Sequence, residues 1–340
     1  MNRDLIRKTA SFISKPLSLK VLRRITGENF IFPFYHLVSD QTPDYIKNLY
    51  KAVSPDRFKN DLDFFLKNYQ PATIFDLKEY VKSGKKSDKP FFFLSFDDGL
   101  RECYEVVYPI LKEKRIQAAF FINPGFVDNI DLFYRFKVGL ILEKIHKSQK
   151  NRVKEVGHFL ESSFETVERL ADKIKRLKYS DLEKIDQIAE LLGIDFKEVL
   201  KTEKPYMSLS QINELSQNGY LIGSHSQSHP VFSHLEMQEQ INQLEQSMLY
   251  IERNFDSEIL TFAFPFSDLG VSSSFFEYIE NSSDVEITFG TSGLKKDLSS
   301  GHVHRIPMDT KNYKNAEQII RGEYAYFILK SIAGKNTLKR

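Results

Sequence analysis

The sequence predicts an α/β fold built on a parallel sheet or barrel. Short apolar runs rich in Phe, Ile and Val recur along the chain, at 31–35, 91–96, 118–122, 220–223, 259–264, 286–289 and 303–306. Segments with helical period separate them. Two polar clusters, around Asp97 and around His225, each follow such a run directly. Runs this short and continuous suit strands buried on both faces, and their alternation with helices argues for a parallel arrangement. The alternation fits an open sheet as well as a closed barrel.

The helices between the strands are readable in order. Ser54-Pro55 opens one, with Phe58, Leu62, Phe65 and Leu66 as its apolar stripe. Ser208 to Gln211 reads as a capping box before Ile212 and Leu215, and Asn218-Gly219 ends that helix. A longer helix spans 235–255 with Ile241, Leu244, Met248 and Ile251 on one face. Residues 131–204 have a different texture, strongly charged and poor in strand signals. Leu182, Ile185, Ile188 and Leu192 fit a helix that stops at Gly193. This stretch reads as a helical insertion between two strands, because its apolar positions are too regular for a linker. The expected organisation is a basic helical segment over 1–30, a main domain over 31–320 containing the insertion, and a C-terminal helix with a basic tail over 321–340.

Length and composition set limits. At 340 residues the chain can hold one large domain with an insertion, or two modest ones. Hydrophobic content of 41% and charged content of 28% are ordinary for a globular protein. A formal net charge of +2 gives no case for nucleic-acid binding. Basic residues cluster at both ends, with Arg3, Arg7, Lys8, Lys15, Lys20, Arg23 and Arg24 at the start and Lys330, Lys335, Lys339 and Arg340 at the finish. The single cysteine, Cys103, excludes an intrachain disulfide and reads as packed core. Lys15, Lys20, Arg23 and Arg24 interrupt any signal-peptide core, and no window reaches a transmembrane length. The expected location is therefore cytoplasmic. Leu5 to Ile25 mixes apolar and basic residues and could lie on an anionic membrane face; Pro16 favours a short helix packed on the domain instead.

The chemistry sits at two strand ends. The run over 91–96 stops at Asp97, Asp98 and Gly99. Strand C-termini are where α/β barrels carry reactive groups, and adjacent buried carboxylates need a cation or partner. On its own this could be an Asp-Gly turn with a capping carboxylate. The second cluster places His225 and His229 after a short strand, on one side if the backbone makes a helical turn. Imidazole is the commonest transition-metal ligand. Asp98, His225 and His229 together make a His₂–carboxylate set with open positions, the signature of a catalytic metal centre. Asp97 is then left beside it as a general base.

In these motifs the chain resembles the polysaccharide deacetylases of carbohydrate esterase family 4, the NodB-homology domains. Ser95-Phe96-Asp97-Asp98-Gly99 is similar to their first motif, T/S-F-D-D-G, and His225-Ser226-Gln227-Ser228-His229 to the second, H-S/T-x-x-H. Residues 118–122 resemble the A-T-F-F strand. Phe34-Tyr35-His36 with Val38, Phe262 to Phe266, and Arg305-Ile306-Pro307 resemble Y-H-x-V, F-A-Y-P-Y/F and R-I-P of the poly-N-acetylglucosamine deacetylase branch. The resemblance covers roughly residues 30 to 310 outside the insertion. It implies a distorted (β/α)₇ barrel of the NodB-homology type, with the helical insertion beside the site. It also implies removal of N-acetyl groups from a polysaccharide or glycan precursor. Asp98, His225 and His229 would hold a divalent metal, Zn²⁺ by first choice, with Asp97 as base and the Phe266 backbone N–H as oxyanion donor. Pro265, Arg305 and His36 would line or orient the site.

The chain departs from the family in places. Ala263 stands where another form of the third motif has an arginine that pairs with the base; Arg305 from a neighbouring strand could replace it. The usual tryptophan is absent, since the chain has no Trp. The general acid would be His302 or His304, with His304 preferred as nearer the strand end. These departures keep two other readings in view: an O-acetyl esterase or non-sugar amidase on the same scaffold, and a glycan-binding protein without activity.

Overall fold

The computed structural model describes residues 17–83, 90–160, 166–299, 301–310 and 313–338. Its centre is a parallel sheet of β1 (Pro33–Tyr35), β2 (Leu94–Phe96), β3 (Ala118–Ile122), β4 (Leu221–Ser224), β5 (Thr261–Ala263), β6 (Ile287–Gly290), β7 (His302–His304) and β8 (Ile306–Pro307). The order is β7-β6-β5-β4-β3-β2-β1-β8. Only Arg305 separates β7 from β8, so one continuous segment pairs with both edges. The Arg305 N–H bonds to Gly290 O on β6, and the Ile306 N–H to Phe32 O. The sheet is therefore a seven-stranded barrel whose last strand changes partner at Arg305, which rules out the open sheet. The runs at 31–35 and 91–96 each split at a phenylalanine. Their first halves, Phe30–Ile31 and Phe91–Phe92, join Gln70–Pro71 in a small parallel sheet.

Side-chain alternation explains both faces of the barrel. Phe93, Ala119, Phe121, Ala263 and Phe289 cluster inside it, with Val303 packed against them. Phe262 and Phe264 point outward and pack with Phe232, Phe275 and Phe276. Burying each of these rings contributes about 1.5–3 kcal/mol. The helices begin and end largely as their capping chemistry dictates. Ser54 caps Pro55–Asn68, Ser208 and Gln211 form a capping box on Leu209–Gln217, and Gly193 ends Leu182–Leu192 in the left-handed region.

Between β3 and β4 lie the helices Tyr134–Lys147, Lys150–Phe159, Val167–Lys175, Leu182–Leu192 and Phe196–Glu203. They share the main core through Phe136, Ile141, Ile185 and Leu192. The C-terminal helix, Ala316–Ile332, starts earlier than expected and is part of the same core through Tyr324 and Phe327. Near the N-terminus, Leu19–Thr26 buries Leu19 and Leu22 against the domain, while Leu17, Val21 and Ile25 are exposed. The remainder of the basic N-terminal segment, residues 1–16, lies outside the described residues. Among the described residues no helix is long and apolar enough to cross a membrane.

Candidate active site

The barrel's strand ends bring Asp97, Asp98, His225 and Arg305 to one place. β2 stops at Phe96, and the Asp97 N–H bonds to Tyr35 O of β1. Asp98 and Gly99 then both adopt left-handed backbone, φ +70° and +63°, turning the chain sharply and separating the two carboxylates. The residues after β4 do not make the helical turn that the i, i+4 spacing suggests. Instead, Ser226 and His229 take left-handed φ of +67° and +58°. The Ser226 N–H donates to Ser224 Oγ and the His229 N–H to Ser226 Oγ, each at 3.1 Å. Asn123 Nδ2 donates to the carbonyls of His225 and Ser226. That loop sets the two imidazoles edge to face, with ring centres 4.7 Å apart.

Asp98 Oδ1 lies 3.1 Å from His229 Nε2 and 3.6 Å from His225 Nε2. It is buried, yet it has no hydrogen-bond partner. His225 Nδ1 is tied to Ala263 O at 2.7 Å, which leaves Nε2 with its lone pair facing the carboxylate. Burial pushes His225 down to about 4, so the ring is neutral at physiological pH. Tetrahedral coordination at the usual zinc–ligand distances spaces ligand atoms about 3.3 Å apart. A buried orphan carboxylate oxygen and two imidazole nitrogens at that spacing fit a divalent metal.

Asp97 has a different environment. Burial alone would raise its pKa. Arg305, fully buried, overrides this with a two-pronged contact, Nη1 to Oδ1 at 2.6 Å and Nη2 to Oδ2 at 2.8 Å, and holds the carboxyl below its usual range. Nη1 also donates to Ser95 Oγ at 3.0 Å. The guanidinium lies over Phe34, 4.3 Å from the ring centre. Arg305 thus stands where the missing arginine at Ala263 would act.

His36, at the end of β1, pairs with Asp309 at 2.5 Å. Burial would lower this histidine, but the carboxylate raises it to about 10, so it is cationic at neutral pH. Its charge acts on both Asp97 and Asp98. Its ring lies 5.0 Å from that of Tyr50, whose hydroxyl donates to Asp98 Oδ2 at 3.3 Å. Pro265 is buried and Phe266 half-exposed, with φ +56° and its ring 4.7 Å from that of His229. The insertion closes this side: Phe133 lies 4.3 Å from the His229 ring, and the Tyr179 hydroxyl bonds Ser228 Oγ at 2.8 Å.

The structure does not bring His302 or His304 to this group. Alternation along β7 turns Val303 and Arg305 into the barrel and both histidines out of it, against Phe264, Phe276, Asp268 and Asp297. Apart from His225 and His229, the histidine whose charge reaches Asp97 and Asp98 is His36. Sequence reading also missed Asp309 and Tyr50. Asp309 follows β8, which pairs with β1 so that Pro307 lies opposite Phe34, and continuing that register sets Asp309 beside His36. Tyr50 sits on a loop with no pattern to reveal it.

Solved structures share this architecture. The deacetylase PplD of Streptococcus pyogenes superposes with a TM-score of 0.55 at 14% identity, over 86% of this chain and 97% of that one. IcaB from Ammonifex degensii gives 0.52 at 14% identity, over 88% and 97%. A de-N-acetylase from Aggregatibacter actinomycetemcomitans gives 0.52 at 14% identity, over 86% and 99%. At this identity the likeness is one of fold. No curated protein sequence matches the chain. The sequence profile described as polysaccharide deacetylase matches residues 84–280, more than half of the chain. The chain therefore belongs to the polysaccharide deacetylase family, hydrolases of N-acetyl amide bonds.

Proposed function

We propose that this protein removes N-acetyl groups from a polysaccharide or glycan precursor. The observation that carries the proposal is the split between two adjacent carboxylates. Asp98 offers an unpaired oxygen to two imidazoles, while Asp97 is clamped and ionised by Arg305. Asp98, His225 and His229 would hold the metal, for which Zn²⁺ suits the donor set. Bound there, a divalent cation lowers the pKa of water and polarises the acetyl carbonyl. Asp97 takes the proton of the attacking water, and Arg305 keeps it charged and aimed. The Phe266 N–H stabilises the oxyanion that develops on the substrate. His36, kept cationic by Asp309, gives a proton to the departing amine, the role that His304 is too far round the barrel to fill.

Phe266 is exposed and backed by the buried rings of Phe133 and Tyr134, which fixes one aromatic surface at the mouth of the site. Acetate release from N-acetylglucosamine oligomers, measured against acetylated xylan, tests the substrate class. Release from xylan alone would move the assignment to an O-acetyl esterase.

A peripheral membrane location is part of the proposal. Exposed Val21 and Ile25 lie among Lys20 and Arg24, and Ile25 lines a shallow depression with Ile332. No flotation with anionic liposomes at low salt would remove this part.

A further inference from the structure

A second set of metal-ligating groups lies behind the catalytic loop, on the outer face of the barrel. His302 and His304 project outward from β7, and Asp268 reaches them from the loop after β5. Asp268 is fully buried and both histidines are nearly so. His302 Nε2 lies 3.5 Å from Asp268 Oδ2, and His304 Nδ1 lies 4.0 Å from the same oxygen. Ligand atoms of these three residues and of Asp297 all fall within 4.8 Å of one another.

The far side of each group is held in place. Thr288 Oγ1 bonds His302 Nδ1 at 2.7 Å, Asp297 Oδ2 bonds His304 Nε2 at 3.1 Å, and the Thr291 N–H donates to Asp268 Oδ1 at 3.1 Å. A carboxylate on Nε2 fixes the proton there and leaves a lone pair on His304 Nδ1. That nitrogen is buried and has no hydrogen-bond partner. It faces a carboxylate oxygen, which repels it unless a cation lies between. Gly290 keeps the space open: a Cβ there would stand 2.5 Å from Asp268 Oδ1 and 2.6 Å from His304 Nδ1.

We infer that Asp268, His302 and His304 form a second divalent-cation site, with Asp297 supporting His304. Two imidazoles and one carboxylate select an ion of the Zn²⁺ class over Mg²⁺ or Ca²⁺. The site is structural. Asp268 is two residues beyond Phe266, and His304 immediately precedes Arg305, so an ion here ties the oxyanion loop to the strand that clamps Asp97. Thr291 reinforces the tie, its hydroxyl donating to Phe266 O at 3.3 Å. This site stands on its own geometry, independent of the proposed activity.

The test is metal content and thermal stability of the full chain, stripped with chelator, reloaded with Zn²⁺ and freed of excess by gel filtration. Wild type should retain two equivalents. His225→Ala/His229→Ala should retain one, and Zn²⁺ should still raise its melting temperature. Adding Asp268→Asn should abolish both the remaining equivalent and the shift. One equivalent in wild type and none in His225→Ala/His229→Ala would overturn the inference, and this result does not depend on Asp268→Asn folding. One equivalent that survives in His225→Ala/His229→Ala but not in Asp268→Asn would support this site and remove the catalytic one.

Discussion

Replacing Arg305 by Met tests the electrostatics of the site most sharply. The methionine fills similar space but leaves Asp97 buried without its guanidinium. Three hydrogen bonds disappear, two of them charge-assisted to Asp97 and one to Ser95. Breaking one partner of such a buried pair costs about 3–5 kcal/mol. The shift in melting temperature should then be roughly 6–20 °C at about 2–4 °C per kcal/mol. The sign with pH follows from the direction of the Asp97 shift. Its folded-state pKa is depressed in wild type, so its contribution to stability is present above the unfolded value and is lost as pH falls through the folded one. In Arg305→Met burial dominates and the pKa rises. The acidic limb of kcat/KM for acetate release should move to higher pH, and kcat should fall on the order of 100-fold or more even at the new optimum, as for a mispositioned base. Arg305→Lys restores charge without the two-pronged geometry and should recover stability better than rate. An unmoved acidic limb, or a stability loss below about 1 kcal/mol, the size of an exposed ion pair, would refute the reasoning.

Other outcomes follow from the same geometry. His36→Gln should lower kcat about 100-fold or more on amide substrates and much less on an activated aryl acetate, whose leaving group needs no proton; equal losses on both would argue against a donor role. In metal-free protein His36 has a folded pKa raised to about 10, so its stabilisation is complete below about 6.5 and is lost as pH rises through about 10. Asp309→Asn should abolish that alkaline loss in a urea-melt series, and a persistent loss would point to another group. Removing the insertion, residues 131–204, also strips Phe133 from His229. A folded deletion variant should keep first-site metal but change its preference among oligomer lengths, and loss of that metal would show the insertion to be part of the metal centre.

Much of the candidate site is legible in the sequence, because its parts lie at the ends of contiguous apolar runs. Asp97-Asp98-Gly99 and His225 to His229 are local motifs, and strand ends of a parallel fold converge. What could not be read is non-local. The pairing of β8 with β1 brings Asp309 to His36, and neither residue signals the other. The choice of His304 as acid failed for a reason the sequence already held. Adjacent residues in a strand face opposite ways, so Arg305 inside the barrel requires His304 outside it. The His225/His229 spacing also misled in detail. Left-handed backbone at Ser226 and His229, held by serine hydroxyls, replaces the helical turn. Barrel closure was hidden for a similar reason, since one run, 303–306, supplies both edges through a change of partner at Arg305.

The central claim is that Asp97 acts on water while Asp98 and the two histidines bind metal. Acetate release and metal content of Asp97→Asn and His225→Ala, measured side by side on N-acetylglucosamine oligomers, test it directly. Asp97→Asn should keep the metal content of wild type and lose acetate release. His225→Ala should lose one metal equivalent along with activity. Wild-type turnover in Asp97→Asn, or unchanged metal in His225→Ala, would contradict it.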